Sequence, residues 1–284
     1  MADLKTLIIQ DIPQAMRLSS GEGWNQTEKD WLLLVENPGN VCLALEQEGK
    51  ILATATAMNY KKRVAWIGMV LVEKNYRGRG YSKLLLAEIL NRLKSFQTIK
   101  LDATPAGQPV YQKLGFRNER IISRYVLESP ASNMRDLEVG NMPKRIYLSE
   151  IQEIVKYDAT VFGTRRKRLI EYLIQENPEN AWMVIQKDVL KGNALGRMGA
   201  RFFQIGPVSA ESETEAKILV TQMLKTIPHQ PVVADVPEGK KNFIAWLKSI
   251  GFLKQRQFIR MVLGENSYRG TPDNQFAICG PEFG

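Results

Sequence analysis

The stretch from residue 66 to residue 93 most constrains how this chain can fold, because its sequence predicts a strand, a glycine-containing turn and a helix in direct succession. Residues 66–72 are apolar and rich in bulky side chains, which is typical of a buried strand. Residues 81–93 carry an apolar residue at every fourth position, which indicates a helix. Between them, the glycines of Arg77-Gly78-Arg79-Gly80 can adopt positive φ angles and leave the main chain bare. Free N–H groups at the helix start, the helix dipole and two arginines together predict an anion site.

The spacing of this turn differs from that of the two better-known phosphate loops, the P-loop and the dinucleotide-binding glycine turn. The sequence Arg77-x-x-Gly80-x-Ser82 instead resembles motif A of the GNAT acetyltransferases, although Ser82 stands where Gly or Ala is usual. In that family the motif wraps the pyrophosphate of acetyl-coenzyme A (acetyl-CoA). The residues by themselves leave an ordinary strand-to-helix turn as the alternative. The resemblance implies a cofactor site at Val70, Leu71, Val72, Arg77, Gly78, Arg79, Gly80, Tyr81 and Ser82.

A second pattern, Tyr-x-x-Leu-Gly-Phe beginning at Tyr111, follows another predicted strand at residues 98–102. It resembles motif B of the same family, in which the tyrosine lies beside the thioester sulfur. The resemblance implies that Tyr111 is the catalytic acid, whereas Thr104 stands where the family often has Asn. A tyrosine with a pKa of about 10 stays protonated and can donate to a thiolate whose conjugate acid has a pKa of about 8.5. The alternative is that Tyr111 only packs.

Two helices predicted near the N-terminus roof the acceptor site in GNAT folds, together with the loop between them. The resemblance therefore makes Glu22 and Trp24 candidates for binding the acceptor, although both can equally be packing or surface residues. It also implies that a main-chain N–H near Leu71 stabilises the oxyanion of the reaction.

The sequence leaves the general base open. An attacking amine with a pKa of about 10.4 is protonated at neutral pH, so the site must lower that value or supply a base. The nearest carboxylates in the inferred fold are Glu22, Glu73 and Asp102, and a water chain is an equal alternative. The one histidine, His229, fits a loop role better than a catalytic one.

The composition narrows the class of protein. The chain has 284 residues, of which 44% are hydrophobic and 24% charged, and it contains no apolar run that could span a bilayer. It shows no signal-peptide pattern and has two distant cysteines, Cys42 and Cys279, which predicts a cytoplasmic protein without a metal site. The net charge of +9 would attract a nucleotide cofactor, an acidic substrate or nucleic acid alike. The basic run at residues 165–168 is predicted to be a solvated helix face, so nucleic acid is the less favoured partner.

The second half of the chain repeats the pattern of the first without its glycine turn. Residues 205–210 align with residues 67–72 and both precede an apolar helix, so we interpret the chain as a duplication. Glu211 and Glu213 stand where the first copy has arginines and glycines, and Leu247 replaces its tyrosine. Those carboxylates would repel a pyrophosphate. The second copy resembles the degenerate C-terminal domain of two-domain GNAT proteins and is expected to complete the acceptor pocket or stabilise the first copy.

These patterns predict a mixed α/β protein made of tandem GNAT folds, each with a central, mostly antiparallel sheet flanked by helices. The predicted domains are residues 1–132, which bind acetyl-CoA, and residues 133–284, joined by linker-like residues 129–133. Gly68 predicts a bulge that would let ligand main chain approach its strand.

The function implied by the resemblance is that of an N-acetyltransferase. It would transfer the acetyl group of acetyl-CoA to a primary amine, by direct attack in a ternary complex. The acceptor is expected to be a small-molecule amine or a peptide, and the oligomeric state is left open. One alternative is a non-catalytic regulatory module that binds acyl-CoA, and a nucleic-acid-binding protein is another.

Overall fold

The computed structural model describes residues 2–129, 142–227 and 230–284. Within these ranges the chain forms thirteen strands and eight α-helices. The elements of the first half are β1 (Asp3–Thr6), α1 (Ile12–Gly21), α2 (Glu28–Val35), β2 (Val41–Gln47), β3 (Lys50–Tyr60), β4 (Val64–Val72), α3 (Tyr81–Arg92), β5 (Thr98–Ala103), α4 (Gln108–Lys113) and β6 (Arg117–Leu127). Those of the second half are β7 (Lys144–Arg145), α5 (Ile151–Phe162), α6 (Lys167–Glu176), β8 (Trp182–Gln186), β9 (Val189–Met198), β10 (Phe203–Ala210), α7 (Glu213–Thr226), β11 (Val232–Pro237), α8 (Lys241–Ser249), β12 (Leu253–Gly264) and β13 (Gln275–Ala277).

The two halves follow the same order of strand and helix. β4, α3, β5 and α4 of the first half correspond to β10, α7, β11 and α8 of the second. β4 and β5 are parallel, as are β10 and β11. The other strand pairs of the described residues are antiparallel. The prediction of a mixed, mostly antiparallel sheet flanked by helices is therefore confirmed.

The last strand of each half is exchanged with the other half. β12 of the second half lies between β5 and β6 of the first, and β6 in turn pairs with β11. Ile259 of β12 is opposite Ala103 of β5, and Leu127 of β6 is opposite Val232 of β11. The two halves consequently share one continuous sheet. The predicted boundary between residues 132 and 133, with linker residues 130–133, lies outside the described residues and stays a prediction.

The helix that carries the glycine turn has the predicted apolar face. Leu85, Ile89 and Leu93 are 0%, 0% and 2% exposed, and Leu86 joins them in the core of the first half. Burial of this stripe against the sheet fixes the direction of α3, because a helix with one apolar face packs in one orientation. The N-terminus of α3 is thereby held at the edge of β4.

We call α1, α2 and the loop between them the roof of the first half. Helix α2 begins at a cap that the sequence encodes. The main-chain N–H of Thr27 donates to the Asp30 carboxylate at 2.8 Å, and the Thr27 hydroxyl accepts from the Asp30 N–H at 3.4 Å. This reciprocal arrangement is a capping box, and it sets the first turn of α2. The loop before it is fastened to the second half, where the N–H groups of Arg201 and Phe202 donate to Asn25 Oδ1 at 3.0 and 2.9 Å.

Candidate active site

A cleft opens in the sheet where β4 separates from β5. The pairing of β4 with β5 ends at Ile67, whereas its pairing with β3 continues to Val72. The separation coincides with a bulge at Met69, whose φ is 50° and whose carbonyl oxygen accepts from the Thr54 hydroxyl at 2.9 Å. A cavity of about 550 Å³ occupies the cleft. The edge of β4 beyond Ile67 therefore borders the cavity instead of another strand.

The predicted anion turn lies at one end of this cavity. Gly78 and Gly80 have φ angles of 81° and 82°, and Gly80 is the N-cap of α3 without a side-chain hydrogen bond to the cap. A Cβ at either glycine would meet no heavy atom within 4 Å, so these positive φ angles, and not crowding, explain the need for glycine. Tyr81 and Ser82 at the start of α3 line the cavity beside them.

The two arginines of the turn have different environments. Arg77 lines the cavity, and its Nη2 donates to Glu22 Oε1 at 2.5 Å while its Nε donates to Val72 O at 3.2 Å. Arg79 instead lies over the ring of Tyr76, with 4.8 Å between the guanidinium carbon and the ring centroid. Arg77 is thus the arginine of the turn that faces the cavity, paired with a carboxylate.

The structure gathers nearly all the sequence-predicted site residues around this one cavity. Arg79 is the exception, since it does not line the cavity. Glu22 was predicted for the acceptor site, but it lies at the turn through its contact with Arg77. The predicted residues that line the cavity are Glu22, Trp24, Val70, Leu71, Val72, Arg77, Gly78, Gly80, Tyr81, Ser82 and Tyr111.

Tyr111 lies on α4 with its ring packed and its hydroxyl unbonded. The ring makes an edge contact with Phe116, with centroids 5.9 Å apart, and the hydroxyl has no hydrogen bond within the described part of the chain. Burial raises the pKa of Tyr111 above its ordinary value. The side chain is therefore a protonated donor without a protein acceptor, at the wall of the cavity.

The far end of the cavity is lined by residues of both halves that sequence reasoning missed. They come from the two exchanged strands, from the C-terminal segment and from the loop before α2. Their contribution depends on strand pairings across the sequence, for which no local pattern gives a signal. These residues are Asn25, Gln26, Arg124, Arg256, Phe258, Pro281 and Glu282.

A buried ionic network holds Glu282 at this end. Arg197 donates through Nη1 to Asp30 Oδ2 at 2.5 Å and through Nη2 to Glu282 Oε1, while the Tyr172 hydroxyl donates to Asp30 Oδ1 at 3.1 Å. Arg197 is 1% exposed, so its charge depends on these two carboxylates. Burial raises the pKa of the Glu282 carboxyl despite the nearby guanidinium. The network joins α2, β9 and the C-terminal segment.

The C-terminal segment approaches the main chain at Gly68. A Cβ on Gly68 would lie 3.0 Å from Glu282 Cα, so this glycine admits the protein's own chain, where ligand main chain was expected. The Trp66 indole N–H donates to Pro281 O at 2.9 Å and the Tyr60 hydroxyl donates to Phe283 O at 2.8 Å. These bonds fix the segment against β3 and β4.

The carboxylates proposed from the sequence as bases are engaged in ion pairs. Both oxygens of Asp102 accept from Arg260 at 2.9 Å. Glu73 does not line the cavity and pairs with Lys50 at 2.8 Å and with Arg17 at 3.2 Å. Asp102 thus has both oxygens bonded to one arginine, and Glu73 lies outside the cavity, so neither is placed to act as the base.

The corresponding cleft of the second half is filled by the chain itself. β10 separates from β11 after Ile205, and β13 then pairs with β10 at Val208 and Ser209. The N–H of Ile278 donates to Asp235 O at 2.9 Å, which ties the same segment to β11. The space that stays open in the first half is thus occupied in the second by a strand.

The basic run at residues 165–168 is only partly solvated, which corrects the prediction for Arg166. Arg166 is 2% exposed, and its Nη2 and Nε donate to Asp158 at 2.6 and 3.0 Å. Its guanidinium also lies 3.8 Å from the centroid of the Phe162 ring. Ion pairing and stacking allow an arginine to be buried. The rest of the run is exposed, and His229 lies outside the described residues.

Residues 2–129, 142–227 and 230–284 hold no group of three or more His, Cys, Asp or Glu side chains arranged to bind a metal ion. Cys42 and Cys279 are both buried free thiols. No helix in the same ranges combines the length and the apolar character that crossing a membrane requires.

Comparisons with known proteins identify the family in both halves. Residues 8–116 match the family described as "Acetyltransferase (GNAT) family", and residues 154–277 match the one described as "Acetyltransferase (GNAT) domain". The matches thus fall on the two copies that the sequence pattern predicts.

Relatives match along most of the chain. "Holothin acyltransferase" of Pseudoalteromonas sp. is 24% identical over 233 residues, covering 82% of this chain and 77% of that protein. "Uncharacterized N-acetyltransferase YitH" of Bacillus subtilis is 24% identical over 241 residues, covering 84% of this chain and 83% of that protein. The crystal structure of a putative acetyltransferase from Pyrococcus horikoshii superposes with a TM-score of 0.82 at 20% identity, covering 100% of this chain and 96% of that one. The chain belongs to the GNAT acetyltransferase family and is an acyltransferase with two GNAT domains in tandem.

Proposed function

We propose that this acyltransferase moves the acetyl group of acetyl-CoA to a primary amine, by direct attack in a ternary complex. The observation that carries the proposal is one continuous cavity, which reaches from the glycine turn along the free edge of β4 to Tyr111. In this order, these surfaces would meet the diphosphate of acetyl-CoA, its thioester-bearing arm and the acceptor. GNAT proteins in general use acetyl-CoA, and the proposal extends that use to this chain.

The turn and the strand edge supply the groups that would hold the cofactor. N–H groups at an uncapped helix start, reinforced by the helix dipole, favour an anion such as a diphosphate. Arg77 adds a full charge, and it would exchange Glu22 for a phosphate oxygen when the cofactor binds. The main chain of Val70, Leu71 and Val72 borders the cavity and can bond to an extended amide-containing arm.

Two groups that border the cavity would serve the chemical step. A main-chain N–H near Leu71 would stabilise the oxyanion, as in other preorganised acyl-transfer sites. As the new C–N bond forms and the C–S bond breaks, the Tyr111 hydroxyl would donate its proton to the sulfur. Its raised pKa keeps that proton in place until the thiolate forms.

We assign acceptance of the amine's proton to Glu282. Its main chain passes Gly68 at the bulge, next to the site of attack proposed above. Its raised pKa makes the carboxylate a stronger base than an ordinary glutamate, and Arg197 fixes its orientation. The proton would then pass from Glu282 to solvent, and Tyr111 would regain one from solvent, which balances each turnover.

Release of free thiol from acetyl-CoA across a panel of primary amines tests the proposed function. We expect release above the amine-free background with at least one class of acceptor, with the acetylated amine confirmed by mass. Release at background across the panel, despite bound acetyl-CoA, would favour a module that binds acyl-CoA without transferring it.

We expect calorimetry to give one acetyl-CoA site per chain. β13 fills the second cleft, and Glu211 and Glu213 stand where the first half has its turn. The variant Arg77→Gln should bind about tenfold more weakly, because it loses a charge-assisted contact to phosphate. Arg165→Gln is the matched control, since Arg165 is exposed and outside the cavity. Two equivalent sites, or no binding by the unaltered chain, would contradict the assignment.

Glu282→Gln is expected to lower kcat/KM by about tenfold at neutral pH, because a general base is lost while water in the cavity takes over part of its task. The unaltered enzyme should lose activity as pH falls through the raised pKa of Glu282, and the variant should lack this acid limb. Glutamine keeps an oxygen that can accept from Arg197, and a melting curve checks that the fold is retained. An unchanged pH profile would leave Glu282 with a structural role.

A further inference from the structure

The charged side chains that line the cavity are paired with opposite charges, with one exception. Glu22 bonds to Arg77, Asp102 to Arg260 and Glu282 to Arg197. Arg124 donates through Nε and Nη2 to the two oxygens of Asp235, at 2.7 Å each. Arg256 makes no ion pair or hydrogen bond within residues 2–129, 142–227 and 230–284.

Arg256 lies on β12 and is one of the residues that the second half contributes to the far end of the cavity. It is half-buried, its Nε is buried without a partner, and its guanidinium carbon is 5.2 Å from the centroid of the Phe258 ring. Burial and the neighbouring Arg124 lower the pKa of Arg256 to about 10, so the side chain stays charged at neutral pH. A partly desolvated charge without a counter-ion is costly, and an anion would relieve that cost.

The surroundings of Arg256 separate it from the glycine turn. Its electrostatic neighbours are Arg124, Asp235, Glu282 and Arg201, which lie on β6, β11, the C-terminal segment and the loop after β9. The turn has its own cation in Arg77. Arg256 is therefore placed to meet the acceptor and not the diphosphate.

A second unpaired group lies on the roof of the same cavity. Gln26 lines it, and its Oε1 is buried without a hydrogen-bond partner in the described residues. The preceding Asn25 is locked to the second half, where its Nδ2 donates to Phe202 O at 3.1 Å. The cavity thus presents an unpaired acceptor atom from the roof and an unpaired cation from β12.

We propose that Arg256 binds a carboxylate on the acceptor, so that the substrate class is a primary amine that also carries a carboxylate. A planar guanidinium matches a carboxylate through two parallel N–H···O bonds. One unpaired positive charge calls for a single negative charge, which fits a carboxylate better than a phosphomonoester of charge about −2. Gln26 Oε1 can accept from the amine of the same molecule. This inference rests on the proposed function and names the substrate of its site.

Matched pairs of acceptors test the inference. Leucine is compared with isoamylamine and phenylalanine with phenethylamine, at pH values that correct for their different amine pKa values. The unaltered enzyme is expected to prefer the carboxylate-bearing member by about 10–100-fold in kcat/KM, the usual worth of a hydrogen-bonded charge pair. β-Alanine and O-phosphoethanolamine form a third pair, in which the carboxylate should be preferred.

In Arg256→Gln the preference should fall to about one, whereas Arg256→Lys should keep part of it because the charge remains while the planar fork is lost. Arg165→Gln is the control, with an unchanged preference expected at an exposed position outside the cavity. Melting curves of all variants separate misfolding from lost recognition.

The outcomes distinguish this inference from the function on which it rests. Transfer without preference for the carboxylate in the unaltered enzyme, or preference for the phosphate, would overturn the inference and leave acetyl transfer standing. Weaker acetyl-CoA binding in Arg256→Gln with the preference intact would instead assign this arginine to the cofactor and overturn the inference. Transfer to no amine at all would overturn both.

Discussion

Arg197→Met is expected to destabilise the fold by about 3–5 kcal/mol, because it leaves two buried carboxylates without their shared cation. Arg197 is 1% exposed, and it contacts Asp30 of the first half and Glu282 of the C-terminal segment. Methionine fills much of the same volume but supplies no charge. Urea unfolding followed by circular dichroism measures the change in the free energy of unfolding.

A matched substitution at an exposed ion pair tests whether burial of the charges causes the loss of stability. Arg168 also joins the two halves, through Glu36 at 3.5 Å, but both side chains are nearly half exposed. Arg168→Met should therefore change the free energy of unfolding by less than about 1 kcal/mol. Equal losses in the two variants would contradict the importance of the buried network.

The pH dependence of the free energy of unfolding of Arg197→Met has a defined sign. Loss of Arg197 should raise the pKa of Glu282 further, since the burial that already raises it is no longer opposed by a cation. A carboxyl whose pKa is raised in the fold stabilises the folded state below its unfolded pKa and loses that stability as pH rises through the folded value. The penalty of Arg197→Met should accordingly shrink as pH falls from neutrality toward about 4.3, the ordinary pKa of a glutamate. Adding Asp30→Asn and Glu282→Gln should likewise recover stability at neutral pH.

Short-range patterns carried most of what could be predicted of the first half. Three features depend on residues that are close together in the sequence, where spacing fixes geometry. They are the glycine turn, the apolar stripe of α3 and the position of Tyr111 after β5. The sequence therefore located one wall of the cavity. Arg79 lies over the Tyr76 ring and not along the cavity, a side-chain conformation that the motif does not specify, and its cofactor role stays a prediction.

Long-range pairings set the rest of the cavity. The exchange of β6 and β12 brings Arg256 of the second half to the cavity beside Arg124 of the first, and strands of similar composition give no sign of which half they join. The C-terminal segment adds Glu282 through contacts at Gly68 and Trp66, more than 200 residues away in the chain. The residues at the acceptor end of the cavity are thus brought together by strand topology and not by a local sequence motif.

The second half differs from the first in two features that would each disfavour a diphosphate. Glu211 and Glu213 were expected to exclude a pyrophosphate by charge, and the structure adds exclusion by volume, since β13 fills the cleft between β10 and β11. Restoring glycines and arginines after β10 would therefore be insufficient to create a second site. The same C-terminal chain that fills this cleft continues to Glu282 in the first one, so the second copy contributes to the cavity that stays open.

Tyr111→Phe is expected to lower kcat by about 10²-fold, because the proposed reaction would lose its proton donor to the departing thiolate. The affinity for acetyl-CoA should change by less than about twofold, since phenylalanine keeps the ring that packs on Phe116 and the hydroxyl makes no bond in the described part of the chain. Single-turnover kinetics give the rate of transfer, and calorimetry gives the affinity.

Tyr157→Phe is the matched control for this prediction. Tyr157 is half-buried in the second half, burial also raises its pKa, and its hydroxyl donates to Lys191 O at 3.1 Å outside the cavity. Its substitution should affect stability and leave kcat unchanged, which separates proton donation from a general effect of removing a tyrosine hydroxyl. Because the pKa of Tyr111 is raised, the unaltered enzyme should keep its donor at every pH below about 10, the ordinary tyrosine pKa. An unchanged kcat in Tyr111→Phe would mean that this side chain only packs and that solvent donates the proton.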